Sequence, residues 1–164
     1  NIWKQRRQFI ASAIHKPGTI LDIGCANGFL LYSLQFWTQH KLIPYGIDIN
    51  RLLINQSSLF FGKNYKKIKK CSVKSFITFN MFSKKYDFIY WAVWTQSRRK
   101  YDRYIKKLYD RTAKGGRLIL GLYDGSVEYK MNRIDEFKRI LPIHSTMIKN
   151  PSGDEYLIYF DIIQ

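Results

Sequence analysis

Acidic residues are scarce in this chain. Its 164 residues carry 12 Asp and Glu against 28 Lys and Arg, a formal charge of +16 at pH 7. A surplus of that size excludes an acidic, polycation-binding protein and produces a field that draws polyanions with salt-dependent affinity. Well-solvated lysine-rich faces on an ordinary enzyme give the same balance, and composition alone leaves both readings open. Cysteine is equally thin: Cys25 and Cys71 form no C-x-x-C pair and have no histidine at metal-ligand spacing. That excludes a disulfide framework and a zinc ribbon, and it fits a reducing, cytoplasmic setting with no metal. No run of about 18 apolar residues occurs, so no membrane-spanning helix and no membrane partner are expected. Repeats, low-complexity linkers and a visible targeting segment are missing too, so residues 1–164 are expected to form one domain. Such a chain buries roughly 70% of the surface its unfolded form exposes. A hydrophobic fraction of 46%, with 16% aromatics, excludes disorder.

What is present centres on Thr19 to Leu31. An apolar, β-rich run from Thr19 to Ile23 ends in a glycine-containing turn and opens a helical pattern. A strand, a tight turn and a helix N-terminus make a cradle in which backbone N–H groups meet a bound ligand. Gly24 and Gly28 suit the turn because glycine tolerates positive φ and close backbone approach. The order of residues is Asp22-x-Gly24-x-Ala26-x-Gly28, not the G-x-G-x-x-G of a dinucleotide phosphate loop. A carboxylate ahead of the first glycine repels a pyrophosphate and suits a cationic ligand, which disfavours an NAD-dependent oxidoreductase.

With these residues the chain resembles the class I S-adenosylmethionine-dependent methyltransferases, whose first motif is an acidic residue two places before a glycine-rich turn. Asp22, Gly24, Ala26 and Gly28 match it, with Ala26 in place of a glycine, and LDIGCANG is similar to the motif of small bacterial members of unassigned substrate. The resemblance runs from about Trp3 to the last strand. It implies a Rossmann-like three-layer α/β/α sandwich on a seven-stranded, mostly parallel sheet ending in an antiparallel hairpin. It also implies S-adenosyl-L-methionine as cofactor and S-adenosyl-L-homocysteine as product. On this reading Asp22, Gly24, Cys25, Ala26 and Gly28 line the cofactor turn, with the small Cys25 side chain there for packing.

Along the chain, Trp3 to Ile14 has the apolar spacing of an amphipathic helix, stopped by Pro17-Gly18. Arg6 and Arg7 on it either face a substrate or form a solvated face. Residues 28–39 are expected as a helix and Leu42 to Ile49 as the second strand. Asp48, ending that strand beside Ile49, is placed to accept both ribose hydroxyls; Asn50 is the expected cap of the helix over 51–61. The basic run Lys63 to Lys70 is read either as solvated surface or as a track for a phosphate backbone. Ser75 to Phe79 is read as the third strand. The resemblance then gives Asn80 to the adenine amino group and Met81 to the cover of the ring.

Tyr86 to Trp94 is expected as the fourth strand, its end facing the transferred methyl. Tyr90, Trp91 and Trp94 line a substrate pocket on this reading; core packing is the alternative for them. The stretch Trp91-Ala92-Val93-Trp94 replaces the Asn/Asp-Pro-Pro-Tyr/Phe of enzymes that methylate adenine amines. Ser97 to Thr112 reads as a basic helix. The Gly115-Gly116 pair reads as a helix-to-strand turn into Leu118 to Tyr123, which delivers Tyr123 and Asp124 to the cleft as substrate contacts. A helix over Ile134 to Leu141 and strands Ile143 to Lys149 and Glu155 to Ile162 complete the fold.

Methyl transfer from a sulfonium is an in-line SN2 displacement with an excellent leaving group, so alignment in a water-poor pocket suffices and no triad is needed. His15, His40 and His144 are given no catalytic role. The expected function is therefore methyl transfer to a small molecule. An RNA methyltransferase using the basic surface is the alternative; it requires the Lys63 to Lys70 run and the basic helix to border the pocket. A non-catalytic adenosyl- or nucleic-acid-binding module on the same fold is the third. The sequence leaves the oligomeric state open.

Overall fold

The structure, a computed structural model, describes residues 1–79, 84–93 and 98–163. A short helix α1 (Ile2–Gln5) and a 3-10 segment (Gln8–Ala13) lead into β1 (Gly18–Ile23). Then follow α2 (Phe29–Trp37), β2 (Leu42–Asp48), α3 (Arg51–Gln56), α4 (Ser58–Phe61), a 3-10 segment (Gly62–Lys67) and β3 (Ile68–Lys70). The second half runs α5 (Val73–Phe79), β4 (Tyr86–Ala92), α6 (Arg98–Asp110), β5 (Thr112–Leu122), α7 (Val127–Ile140), β6 (Ser145–Lys149) and β7 (Tyr156–Asp161). The sheet order is β3-β2-β1-β4-β5-β7-β6. Strands β1 to β5 pair in parallel, and β7 enters antiparallel between β5 and β6. This is the expected Rossmann-like sheet with a closing hairpin.

Both faces of the central strands are covered, so β1 and β4 are apolar nearly throughout, as parallel strands are. Alternation sends Leu21, Ile23, Ile89 and Trp91 to a core under α5, α6 and α7. It sends Ile20, Phe88 and Tyr90 to a second core under the N-terminal segments and α2. Among the described residues no helix is long and apolar enough to cross a membrane.

Four local expectations need correcting. The third strand is Ile68–Lys70, pairing with Gly46–Asp48, and residues 73–79 are helical. Lys69 and Lys70 are exposed on a three-residue edge strand, where lysine is favoured because it deters further pairing. Ser72 starts the following helix by accepting from the Ser75 N–H at 3.0 Å. The leading helix is broken at Arg6-Arg7 into an α turn and a 3-10 segment. The helix over 51–61 is split at Ser57, whose hydroxyl donates back to the Ile54 carbonyl at 2.6 Å. Finally, Gly115-Gly116 lies within β5, where the register against β4 shifts between Tyr86 and Phe88.

Candidate functional site

The crevice opens where β2 leaves on one side of β1 and β4 lies on the other, at the carboxyl ends of the strands. Ligands bind at such switch points in open α/β sheets. The chain turns there through three left-handed residues: Gly24 at φ +79°, Ala26 at +50° and Gly28 at +78°. For Ala26 that conformation costs of order 1 kcal/mol. The Gly24 and Cys25 N–H groups donate to the Ile47 carbonyl at 2.8 and 3.1 Å, tying the turn to β2. Gly46 admits the Cys25 side chain, since a Cβ there would lie 2.6 Å from Sγ. Burial pushes the Cys25 thiol far up, which suits packing and not nucleophilic work.

Asp48 holds the turn from behind. Its Oδ2 accepts from the Ala26 N–H and its Oδ1 from the Asn50 N–H, both at 2.8 Å. Asn50, as expected, caps α3 by accepting from Leu52 and Leu53. The ribose role expected for Asp48 must therefore use the lone pairs these two bonds leave open, since each carboxylate oxygen accepts more than once. Asp48→Ala is expected to release both amides and the strained Ala26 together, costing about 1–3 kcal/mol per unpaired group. A drop in melting temperature together with weaker ligand binding is the expected result; an unchanged melting temperature would contradict it.

Asp22 is 3% exposed, and no hydrogen-bond donor among the described residues reaches its carboxylate. Burial, and then the neighbouring Asp48, push its pKa up to about 7, while Arg7 opposes them. It floors a cavity of about 360 Å³. Gly24 to Asn27 form one wall, Tyr90 and Ala92 another, and Trp3, Arg7, Phe29 and Leu30 the rest. Trp3 is held by ring contacts with Phe29 at 4.6 Å and Trp37 at 5.6 Å. The Arg7 guanidinium lies 3.7 Å over the Tyr123 ring and forms no ion pair among the described residues. Behind it the Tyr90 and Tyr123 hydroxyls are 2.7 Å apart, both pushed up by burial, Tyr123 to about 12, so both stay protonated.

The cavity thus brings together Asp22, Gly24, Cys25, Ala26 and Tyr90, with Gly28 at the start of α2 and Tyr123 backing Tyr90. Ile49 is 72% exposed and outside the cavity lining. Trp91 is a correction: strand alternation turns it away from Tyr90, and it packs on Tyr101 at 5.4 Å in the opposite core. The packing alternative accounts for it. Asn80, Met81 and Trp94 lie outside the described residues. Arg7, read from the sequence as facing either a substrate or solvent, lines the cavity, and Trp3, Phe29 and Asn27 were not foreseen there. Arg6, its neighbour, is taken by the buried Glu155. His144 pairs with Asp161 at 3.0 Å, at the strand end remote from the cavity.

Comparison with known proteins agrees with the fold. The model of the family described as "Methyltransferase domain" matches residues 1–152. A small RNA 2'-O-methyltransferase of Xenopus tropicalis is 33% identical over 57 residues, which are 34% of this chain and 15% of that protein. The chain thus corresponds to a small part of that curated relative. TrmN from Thermus thermophilus superposes with a TM-score of 0.67 at 13% identity, over 95% of this chain and 48% of that one. A putative rRNA methylase from Clostridium thermocellum gives 0.68 at 15% identity, over 100% and 97%.

Proposed function

The chain belongs to the methyltransferase-domain family, and from that premise we propose that it is an S-adenosyl-L-methionine-dependent methyltransferase acting on a small molecule. The observation that carries the proposal is the buried Asp22 carboxylate, open to a cavity and given no donor by the protein. An ionised carboxylate in that state is costly unless a cation or a hydrogen-bond donor completes it. An amino-acid ammonium does so. The residues present therefore fit the amino-acid half of the cofactor, which supplies an electrophilic methyl on a positively charged sulfur. Arg7 is then directed at the carboxylate of the same moiety, because a guanidinium beside a sulfonium needs an anion between them. Asp48 fixes the turn on which the adenosyl part rests. Tyr90, held neutral and backed by the Tyr123 hydroxyl, presents a phenol group that orients an acceptor without taking its proton. Trp3 and Phe29 exclude water from the approach.

Calorimetry with S-adenosyl-L-homocysteine and with 5'-methylthioadenosine, which lacks the amino-acid part, tests the reading. Micromolar binding of the first and a clear preference over the second are expected. Arg7→Ala should erase roughly a tenfold or larger share of that preference, the worth of one charge-assisted hydrogen bond. No heat at millimolar ligand overturns the cofactor assignment. Binding without turnover across acceptor panels would support the non-catalytic module.

The RNA reading is favoured by the net charge and by the curated relative's name. Against it, among the described residues Arg7 is the one cationic side chain lining the cavity, and neither Lys63, Lys67, Lys69 and Lys70 nor the described basic residues of α6 line it.

A further inference from the structure

The surplus of positive charge has a definite place. Strands β1, β2, β4 and β5 run parallel and begin level with one another at the end of the sheet opposite the cavity, whereas β3 begins beside Gly46, four residues along β2. Each of the four is entered through a cation: Lys16 ahead of β1, Lys41 ahead of β2, Lys84-Lys85 ahead of β4 and Arg111 ahead of β5. Because those strands are consecutive neighbours in the order β2-β1-β4-β5, the cations form a row. At a strand spacing of about 4.8 Å the row is about 14 Å long.

The row is held in place. Tyr45 holds one of its members, with the Lys84 Nζ 3.6 Å from its ring centroid, and Lys67 from the start of β3 reaches the same ring at 5.5 Å. Lys114 adds an exposed ammonium at the start of β5. Carboxylates at this end are few: Asp110, beside Arg111, is exposed, and the others are committed. Asp87 accepts from the Thr19 N–H and hydroxyl and takes Lys16 at 3.5 Å. Asp161 is taken by Arg117 at 2.7 Å and by His144. Among the described residues, Lys41, Lys67, Lys84, Lys85 and Lys114 have no carboxylate within ion-pair distance, so their charge faces solvent.

We propose that this strand-entry end is a docking surface for the phosphate backbone of single-stranded nucleic acid, separate from the methyl-transfer cavity. A single file of cations, one per strand, matches a linear polyanion better than the broad plane of a membrane, and counterion release supplies the affinity. Lys16 lies six positions ahead of Asp22 along the chain entering β1, about 20 Å, so a docked strand leaves the cavity open. The charge then serves location, not substrate recognition.

The test is fluorescence anisotropy with labelled 20-mers of uridylate and thymidylate across a salt series, alongside phosphatidylserine vesicles. Lys41→Glu/Lys85→Glu/Lys114→Glu is compared with Arg103→Glu/Lys106→Glu/Lys107→Glu on the outside of α6, an equal change of charge. The first triple should lower oligonucleotide affinity at least tenfold and flatten the salt slope by about 2 units, the share of three phosphates. The second should stay within about threefold of the parent. Binding of uridylate alone assigns RNA, and equal binding of both assigns any single strand. Equal losses in both triples, no loss in the first, binding to vesicles without oligonucleotides, or competition between oligonucleotide and S-adenosyl-L-homocysteine overturns the proposal. If the Glu triple fails to melt cooperatively, the corresponding Gln triple is read instead, with a smaller expected loss in the same direction.

Discussion

Asp22→Asn is expected to make the protein more stable at pH 8 and much poorer at holding its cofactor. The carboxyl is fully buried and its pKa is pushed up to about 7 from 3.8, so the folded state resists ionisation more than the unfolded chain does. The sign follows from linkage: a group bound more tightly to its proton when folded costs stability as pH rises, from about pH 4 until about pH 7, and the full cost remains above that. Three pKa units correspond to a burden on the order of 4 kcal/mol at pH 8. The amide carries no such burden, so the variant should melt roughly 8–16 °C higher at pH 8 and near the parent at pH 4. Cofactor affinity moves the other way. Loss of the charge that meets an ammonium should weaken S-adenosyl-L-homocysteine binding by roughly 100-fold, or ~3 kcal/mol. In the parent protein the same affinity should fall about tenfold for each pH unit below about 7, as the carboxyl takes up its proton. Flat affinity between pH 5.5 and 8 would show that Asp22 does not meet the ligand's charge.

Gly116→Ala is expected to have the largest effect on folding of any single methyl added to this sheet. A Cβ at that position would lie 2.1 Å from the Asp87 carbonyl oxygen and 2.9 Å from that of Ala113. Both are backbone atoms of the bulged pairing between β4 and β5, so neither swings aside as a flexible side-chain end does. Separating the strands by an ångström or more breaks ladder hydrogen bonds and opens the core beneath them. A loss of about 3–5 kcal/mol, or failure to accumulate as folded protein, is the expected result in denaturant titrations. Gly24→Ala is the contrast. Nothing lies within 4 Å of its Cβ, and only the φ of +79° resists, which costs about 1–2 kcal/mol. Equal losses at the two positions would remove the close-approach argument.

The central strands and the turn at Gly24 were legible because each rests on a local rule. Continuous apolar runs mark strands covered on both faces, and Asp22 to Gly28 spells out its own backbone. What escaped depended on partners distant in sequence. Ser75 to Phe79 has β-formers, but Val73, Phe76 and Ile77 also fall at helical spacing, and Ser72 can start a helix. Edge placement of Ile68 to Lys70 then decided the strand, and a run of lysines gives no local sign of that. Arg7 looked like its neighbour Arg6, and only the positions of Tyr123 and Glu155 separate their fates. Trp91 was grouped with Tyr90 by proximity along the chain, although adjacent strand residues face opposite sides.

The brevity and charge of β3 also bear on how molecules of this protein meet. One border of the sheet ends in two exposed ammonium groups and offers little main chain to an incoming segment. The other border is β6, five residues long, with Thr146 and Ile148 only half-covered and Met147 41% exposed. Main-chain amides on its outer side are the ones available for edge-to-edge pairing. Self-association by strand addition, where it occurs in crowded or aged preparations, should therefore begin at β6, and a lysine in place of Met147 should suppress it.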